Sequence, residues 1–414
     1  MDALETQVSE SRPGAPVRGG TKPRTLTYVM STRVRSFSKI NLGLRVGPPQ
    51  VGTGFHALRT CYQTLAACDF ITVSAKAAST TKITLAANHP GVPRTETGDA
   101  EKNTAYRLVA LALESLGVTA EVHIELDKRM PVQGGLGAGS ANAAAALIAL
   151  ERELGQSLSW DDRLRLAADV GSDVPMFLVG GTMLGVNRGE EVYPLPDLPE
   201  TPCVLAIPDV GVSTKLAFEA IDEEYARAAG ARGQGSGRRA QKAGSAAAQD
   251  LEIPRETASA GSAEASPEPW ALEPGPLTPS PPVDKLERLS HALAGAFAYP
   301  GRLEPGLSGI VGEADDLAEN PLLTLVRTGI ENDFEEVAFS MHPSLRTVKR
   351  ELAGSGPEAA IFAGLSGSGS ALFGLYASED DALRAQQRVQ ASGTKAVVTK
   401  TLSRHGYWHT MFAE

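Results

Sequence analysis

From Val34 to Val46 apolar and polar positions alternate. Ile40, Leu42, Leu44 and Val46 fall on one face of an extended segment, and Lys39, Asn41 and Gly43 fall on the other. Residues 70–75, 82–86 and 120–126 read as further strands. Residues 104–116 carry a helical period, with Asn103 placed to cap it. Helices are predicted over 142–154 and 160–169, then a strand over 203–207. Later, 329–339 and 343–352 read as helices, and strands at 373–376 and 395–399 flank a helix at 380–390. Strands and helices in this irregular order predict two α+β layers, not a doubly wound sheet, and no internal repeat is visible.

Two stretches break the periodic pattern. Residues 1–26 are polar and rich in Gly, Pro and Thr, which predicts a disordered tail. Residues 226–285 hold Ala-Gly-Ser-Pro tracts and Trp270 among few other bulky groups, so they predict a low-complexity, flexible insertion. At 414 residues the rest is long enough for two domains, drawn at about 27–199 and 200–414. A net charge of −10 argues against a general nucleic-acid binder, though not against a local basic pocket. Cys61, Cys68 and Cys203 have neither metal-ligand nor disulfide-framework spacing, which fits reduced thiols. With no signal-peptide pattern and no apolar run near the roughly 18 residues of a membrane span, the expectation is a cytoplasmic protein without membrane partners, a monomer or weak homodimer.

Candidate chemistry centres on Pro131-Val-Gln-Gly-Gly-Leu-Gly-Ala-Gly-Ser-Ala141. Gly134, Gly135, Gly137 and Gly139 contribute no side chains to packing; they let the backbone turn tightly and bring its N–H groups close to a ligand. An alanine-rich helix follows, and a glycine loop opening a helix is a natural phosphate cradle. No lysine follows Gly137 or Gly139, so this is not a P-loop. The linker from Asp127 to Pro131 separates the glycines from the preceding strand, and a helix follows where a second strand is needed, so it is not a dinucleotide fingerprint either. Lys39 with Asn41 could be a solvated strand edge or a functional pair. Asp173, in Gly171-Ser-Asp-Val-Pro175, could cap a turn or, beside a lysine, accept a hydroxyl proton. Gly364-Leu-Ser-Gly-Ser-Gly-Ser370 could be a hairpin turn or a second wall around phosphates. His56, in Gly54-Phe-His-Ala57, reads more often as a structural aromatic than as a ligand contact.

Taken together these motifs resemble the GHMP small-molecule kinases: Pro131 to Ala141 is similar to their phosphate loop and Gly364 to Ser370 to their C-terminal glycine motif. Ser38-Lys-Ile-Asn-Leu42, Gly54-Phe-His-Ala-Leu58, Asp127-Lys-Arg-Met-Pro131, Gly171-Ser-Asp-Val-Pro175 and Glu331-Asn-Asp333 are similar to signatures of the branch acting on a cytidine-diphosphate-linked methylerythritol. The resemblance runs from about Val34 to Tyr376 and implies a two-domain α+β GHMP kinase fold, with a ribosomal protein S5 domain 2-like N-terminal domain and a ferredoxin-like C-terminal domain. It implies ATP-dependent phosphorylation of the 2-hydroxyl of 4-diphosphocytidyl-2-C-methyl-D-erythritol, in the non-mevalonate route to isoprenoids. A homoserine- or mevalonate-type kinase and a non-catalytic nucleotide-binding protein are the alternatives. By motif, Asp173 becomes the base and Lys39 its charge partner. Pro131, Gly134, Gly135, Leu136, Gly137, Ala138, Gly139, Ser140 and Ala141 become the ATP-phosphate loop, with Mg²⁺ bridging the phosphates through unassigned ligands. Asn103 and Lys128 fall near the nucleoside of ATP. Phe55, His56 and Phe218 are expected to hold the cytosine, and Asn41, Thr214, Gly367, Ser368 and Gly369 to line the substrate side. Ala141, Phe55 and Phe37-Ser38 depart from the usual Ser, Tyr and Pro-Ala.

Overall fold

The computed structural model describes residues 31–49, 55–240 (backbone only from 228), 289, 321–327 and 330–413. In chain order the elements are β1 (Thr32–Pro49), β2 (His56–Ala77), β3 (Lys82–Ala87), α1 (Thr104–Leu116), β4 (Ala120–Asp127), α2 (Ala138–Leu154), α3 (Trp160–Val170), β5 (Thr182–Val186), β6 (Glu191–Pro194), β7 (Pro202–Ile207) and α4 (Thr214–Ala240). They continue as α5 (Pro321–Arg327), α6 (Phe334–Met341), α7 (Ser344–Ala353), β8 (Phe362–Leu365), β9 (Leu372–Leu375), α8 (Glu379–Ala391), β10 (Lys395–Lys400), α9 (Arg404–Thr410) and β11 (Phe412–Ala413).

Two sheets result. The first runs β11-β1-β2-β4-β3, with the β5–β6 hairpin attached to β2; the second runs β10-β7-β9-β8. Helix α2 covers β1 and β2, α1 packs beside it, and α3 packs against α1. Asn103 caps α1 by accepting a 2.9 Å hydrogen bond from the Ala105 amide. In the second unit α6, α7 and α8 bury Phe334, Phe339, Leu345, Leu352 and Val389 against β7 and β9. A third cluster lies between the sheets, where Ile40, Leu42, Cys61 and Leu65 meet Cys203, Leu205, Phe373 and Leu375. Strand β1 is therefore buried on both faces from Ser36 to Gly47. The alternation read from the sequence marks two different buried surroundings, not a core face and a solvent face.

Several elements depart from the sequence expectation. Helix α2 begins at Ala138, not Asn142, because Gly137 adopts a left-handed conformation (φ 68°) as N-cap and the next residues form the first turn. The expected helix over 329–339 starts only at Phe334. Before it, Leu44 N–H donates to Glu331 O (2.9 Å) and Asp333 N–H to Leu44 O (2.9 Å), so this backbone is spent on β1. Helix α4 continues to Ala240, into the segment expected to be flexible from 226. The helix is anchored at its start by buried Ala217 and Ile221. The tail expected over 1–26 and the insertion beyond 240 up to 285 lie outside the described residues. Strands β5, β6 and β11 and helix α9 were not expected. The last strand returns to pair with β1, Arg33 opposite Ala413, so the chain's end sits on the first sheet.

Asp333 fastens α6 to β1. Its carboxylate accepts from Arg45 Nη1 (2.7 Å) and from the Val46 amide (2.9 Å), and both side chains are under 10% exposed. Arg45 also bonds Glu331, so loss of Asp333 leaves the guanidinium one carboxylate and strands the Val46 amide. Asp333→Ala is expected to cost about 1–3 kcal/mol, read as a lower urea midpoint with an unchanged slope.

Candidate active site

The bulge where β1 pairs with β2 between Asn41 and Gly43 sets the floor of a cavity of about 1090 Å³. Lys39 and Asn41 project into it from β1, Thr60 and Tyr62 from β2, and Asp173 from the loop after α3. Lys39 is only 2% exposed, so it is not a solvated edge lysine. Its ammonium donates to Asn41 Oδ1 (2.6 Å) and lies 3.3 Å from Asp173 Oδ2. Asn41 is held in turn: its Nδ2 donates to Thr60 Oγ1 (2.7 Å), which donates to Gly43 O (2.8 Å). A buried ammonium needs such partners to remain charged.

Both glycine loops wall this cavity, through Gly134 and Gly135 on one side and Gly367, Ser368 and Gly369 on the other. They touch. Ser366 Oγ donates to Gly135 O (3.0 Å) and Ala371 N–H to Gly134 O (3.1 Å). A Cβ on Gly135 (φ 79°) would stand 2.0 Å from Ser366 O. A Cβ on Gly137 would meet Phe177 at 2.9 Å and the Lys39 stem at 3.0 Å. Lys39 N–H donates to Leu136 O (3.0 Å), which ties the first loop to the lysine's own strand. Asn332 secures the second loop by donating to Leu365 O (2.9 Å) and Gly367 O (2.8 Å). Ser368 and Thr214 hydroxyls lie 2.8 Å apart.

The opposite wall is aromatic. His56 stacks on Phe218 with centroids 5.1 Å apart, and Phe218 meets Phe334 edge-on. His56 Nδ1 is 2.8 Å from Gly47 O and Nε2 is 3.2 Å from Asp222 Oδ1, so both ring nitrogens already have protein neighbours. Phe55 is half exposed, with the Arg188 guanidinium 5.1 Å from its ring centroid.

Not every expected residue converges here. Lys128 is turned inward, with its ammonium 2.5 Å from buried Asp69. Asp69 also accepts from the Arg129 and Met130 amides, both at 2.7 Å. Burial holds the Lys128 ammonium below the usual lysine range, and Asp69 only partly opposes this. Lys128 thus braces the start of the glycine loop and presents no head group to a nucleoside. Leu136, Ala138 and Ala141 are buried with their side chains in the core, so only their backbones can serve a ligand. The serine that Ala141 replaces would therefore point into packing. Asn103 spends its side chain on the α1 cap and on Pro93 O, beside the first turn of α2, where Thr104 Oγ1 donates to Gly139 O (2.7 Å). Pro131 and Ser140 are half-buried and Gly139 is exposed at that turn. Two cavity residues gave no signal in the sequence: Tyr62, whose phenol donates to Asp173 Oδ1 (2.9 Å), and Arg188 in the β5–β6 turn.

A buried lysine beside a partly exposed carboxylate, walled by two glycine loops, is the arrangement expected of a small-molecule kinase. The family model for the GHMP kinases N terminal domain matches residues 103–181, and the model for the GHMP kinases C terminal matches residues 314–395. The chain thus matches both GHMP kinase domain models, one on each side of residue 200. It is similar to the 4-diphosphocytidyl-2-C-methyl-D-erythritol kinase of Solibacter usitatus, at 28% identity over 352 residues covering 85% of this chain and 83% of that protein. The kinase of the same name from Salinispora tropica is 39% identical over 202 residues, 49% of this chain and 61% of that protein. A solved 4-(cytidine 5'-diphospho)-2C-methyl-D-erythritol kinase shares the fold, with a TM-score of 0.55 at 24% identity over 89% of this chain and 98% of its own. Homoserine kinase from Cytophaga hutchinsonii shares it too, with a TM-score of 0.52 at 18% identity over 94% and 98%.

The contact between the glycine loops can be weighed directly. Gly98 has a similar left-handed φ (74°) but nothing within 4 Å of an added Cβ. Gly98→Ala is expected to cost about 1–2 kcal/mol from backbone strain alone. Gly135→Ala should cost at least about twice that, because forced separation of the loops adds an overpacking penalty; denaturant unfolding of the two variants gives the comparison.

Proposed function

We propose that this kinase transfers the γ-phosphoryl group of ATP to the 2-hydroxyl of 4-diphosphocytidyl-2-C-methyl-D-erythritol. The observation that carries this reading is the Lys39–Asp173 pair, 3.3 Å apart, in one cavity with both glycine loops and the His56–Phe218 stack. The relatives named for that substrate support it. In the proposed division of labour, residues from about 27 to 199 hold the nucleotide and those from about 200 to 414 close over the substrate.

The ATP phosphates lie along Gly134 to Ser140. Gly137 offers no capping side chain, so the first-turn amides of α2 are available to phosphate oxygens. Asn103 stands near the nucleoside through the adjoining N-terminus of α1. Phe55, His56 and Phe218 hold the cytosine, chiefly by stacking. Asn41, Thr214 and the loop from Gly367 to Gly369 face the erythritol diphosphate. The substrate hydroxyl oxygen bonds to the γ-phosphorus as the bond to the β,γ-bridging oxygen breaks, ADP departs, and the hydroxyl proton passes to the Asp173 carboxylate. Lys39 neutralises charge on the migrating group, and positioning supplies most of the acceleration.

Oxygen donors suit magnesium. The Ser140 hydroxyl, 4.0 Å from the place of a Cβ on Gly171 in the Asp173 loop, is such a donor and would help hold the ion. When bound, Mg²⁺ supplies charge neutralisation at the β- and γ-phosphates. No phosphoenzyme is needed: burial pushes the Cys61 thiol up to about 12, and Cys203 is equally buried. The three free thiols also suit a reducing, cytoplasmic setting, and among the described residues no helix is long and apolar enough to cross a membrane.

Asp173→Asn is expected to lower turnover by at least about 10³-fold, at the upper part of the range for removing a positioned base, while calorimetry still shows ATP binding. Near-normal ADP release by this variant would refute the assignment of the base. In a substrate panel, ADP release should require the cytidine diphosphate moiety; equal rates with homoserine or mevalonate would overturn the substrate assignment.

A further inference from the structure

We propose that Tyr62 is a positioning residue for the base: its phenol holds the Asp173 carboxylate oriented toward the substrate hydroxyl. This rests on Asp173 accepting the proton. The Asp173 side chain is about one-third exposed (32%) and sits on a loop, so burial alone does not fix its rotation. Two donors do. Lys39 lies 3.3 Å from Oδ2, and the Tyr62 hydroxyl donates to Oδ1 at 2.9 Å. Each oxygen has its own partner, from β1 and β2 respectively.

The protein is shaped around this phenol. Tyr62 pairs with Asn41 across the β1–β2 ladder and is 2% exposed. The β5–β6 hairpin makes room with two glycines: a Cβ on Gly185 would meet the ring at 2.5 Å, and a Cβ on Gly189 (φ 98°) would meet the hydroxyl at 2.5 Å. The second contact concerns the oxygen alone, which phenylalanine lacks. The other acceptor within reach, Gly189 O, is 3.4 Å away. A phenol has one proton, and the shorter contact to a charged oxygen takes it. Burial, and then the neighbouring Asp173 charge, push the phenol well above its ordinary range, so it remains a donor at working pH.

The charged groups around the pair are Lys39 from β1, Arg188 and Glu190 from the β5–β6 turn, and Lys215 and Glu219 across the cavity on α4. Tyr62→Phe keeps the ring and removes the donor. It is expected to lower kcat about 10-fold, a loss typical of a loosened catalytic group, with KM for ATP and for the cytidyl substrate within about twofold. A kcat within twofold of the parent, or a fall matched by a rise in KM, would overturn the role given to Tyr62. Asp173→Asn separates the two ideas. If that variant keeps turnover, the base assignment itself fails; if it loses turnover while Tyr62→Phe behaves as the parent, only the positioning role fails.

Discussion

A buried ammonium beside a carboxylate is the constraint around which this molecule is arranged. Lys39 is almost fully removed from water, and isolated burial of that charge would be prohibitive. The cost is offset by Asp173, by the Asn41 amide, and by the Asn41–Thr60–Gly43 relay that fixes the amide. All of these except Asp173 come from the two longest strands, and the relay uses the bulge where those strands change register. The fold thus delivers a charged pair with little freedom, which suits a reaction whose transition state is stabilised by fixed charges already in place.

The second constraint is close backbone approach. The first glycine loop hydrogen-bonds to the lysine's own strand on one side and to the second glycine loop on the other. Side chains at Gly135 or Gly137 would push these surfaces apart. The Lys128–Asp69 pair under the loop and Asn332 under its partner hold them from behind. Two sheets joined by an apolar layer place the first and second glycine loops within one hydrogen bond of each other. The contact lies along the cavity wall.

Much of this was legible in the sequence where a local rule governs. Period two placed Lys39 and Asn41 together, an Asn before a helical run gave the α1 cap, and four glycines before an alanine run gave the anion loop. The fold class followed from the order of elements. What stayed hidden depends on distant partners. Tyr62 sits in a mixed run from Cys61 to Ala67 with no motif of its own, and its acceptor lies 111 positions away. Lys128 looks like any basic residue near a nucleotide loop until Asp69 is found beneath it. The segment before α6 has helical composition, yet its backbone is spent on β1. The turn residues Asn187-Arg-Gly189 between short β-prone runs mark the β5–β6 hairpin, but not the distant cavity that Arg188 lines.

The most direct test is a crystal structure of the chain with a non-hydrolysable ATP analogue, magnesium and 4-diphosphocytidyl-2-C-methyl-D-erythritol. The γ-phosphorus is expected between the Lys39 ammonium and the substrate 2-hydroxyl, with that hydroxyl about 3–3.5 Å from the γ-phosphorus and within hydrogen-bond reach of Asp173. A γ-phosphate lodged away from both glycine loops, or a 2-hydroxyl facing away from Asp173, would contradict it.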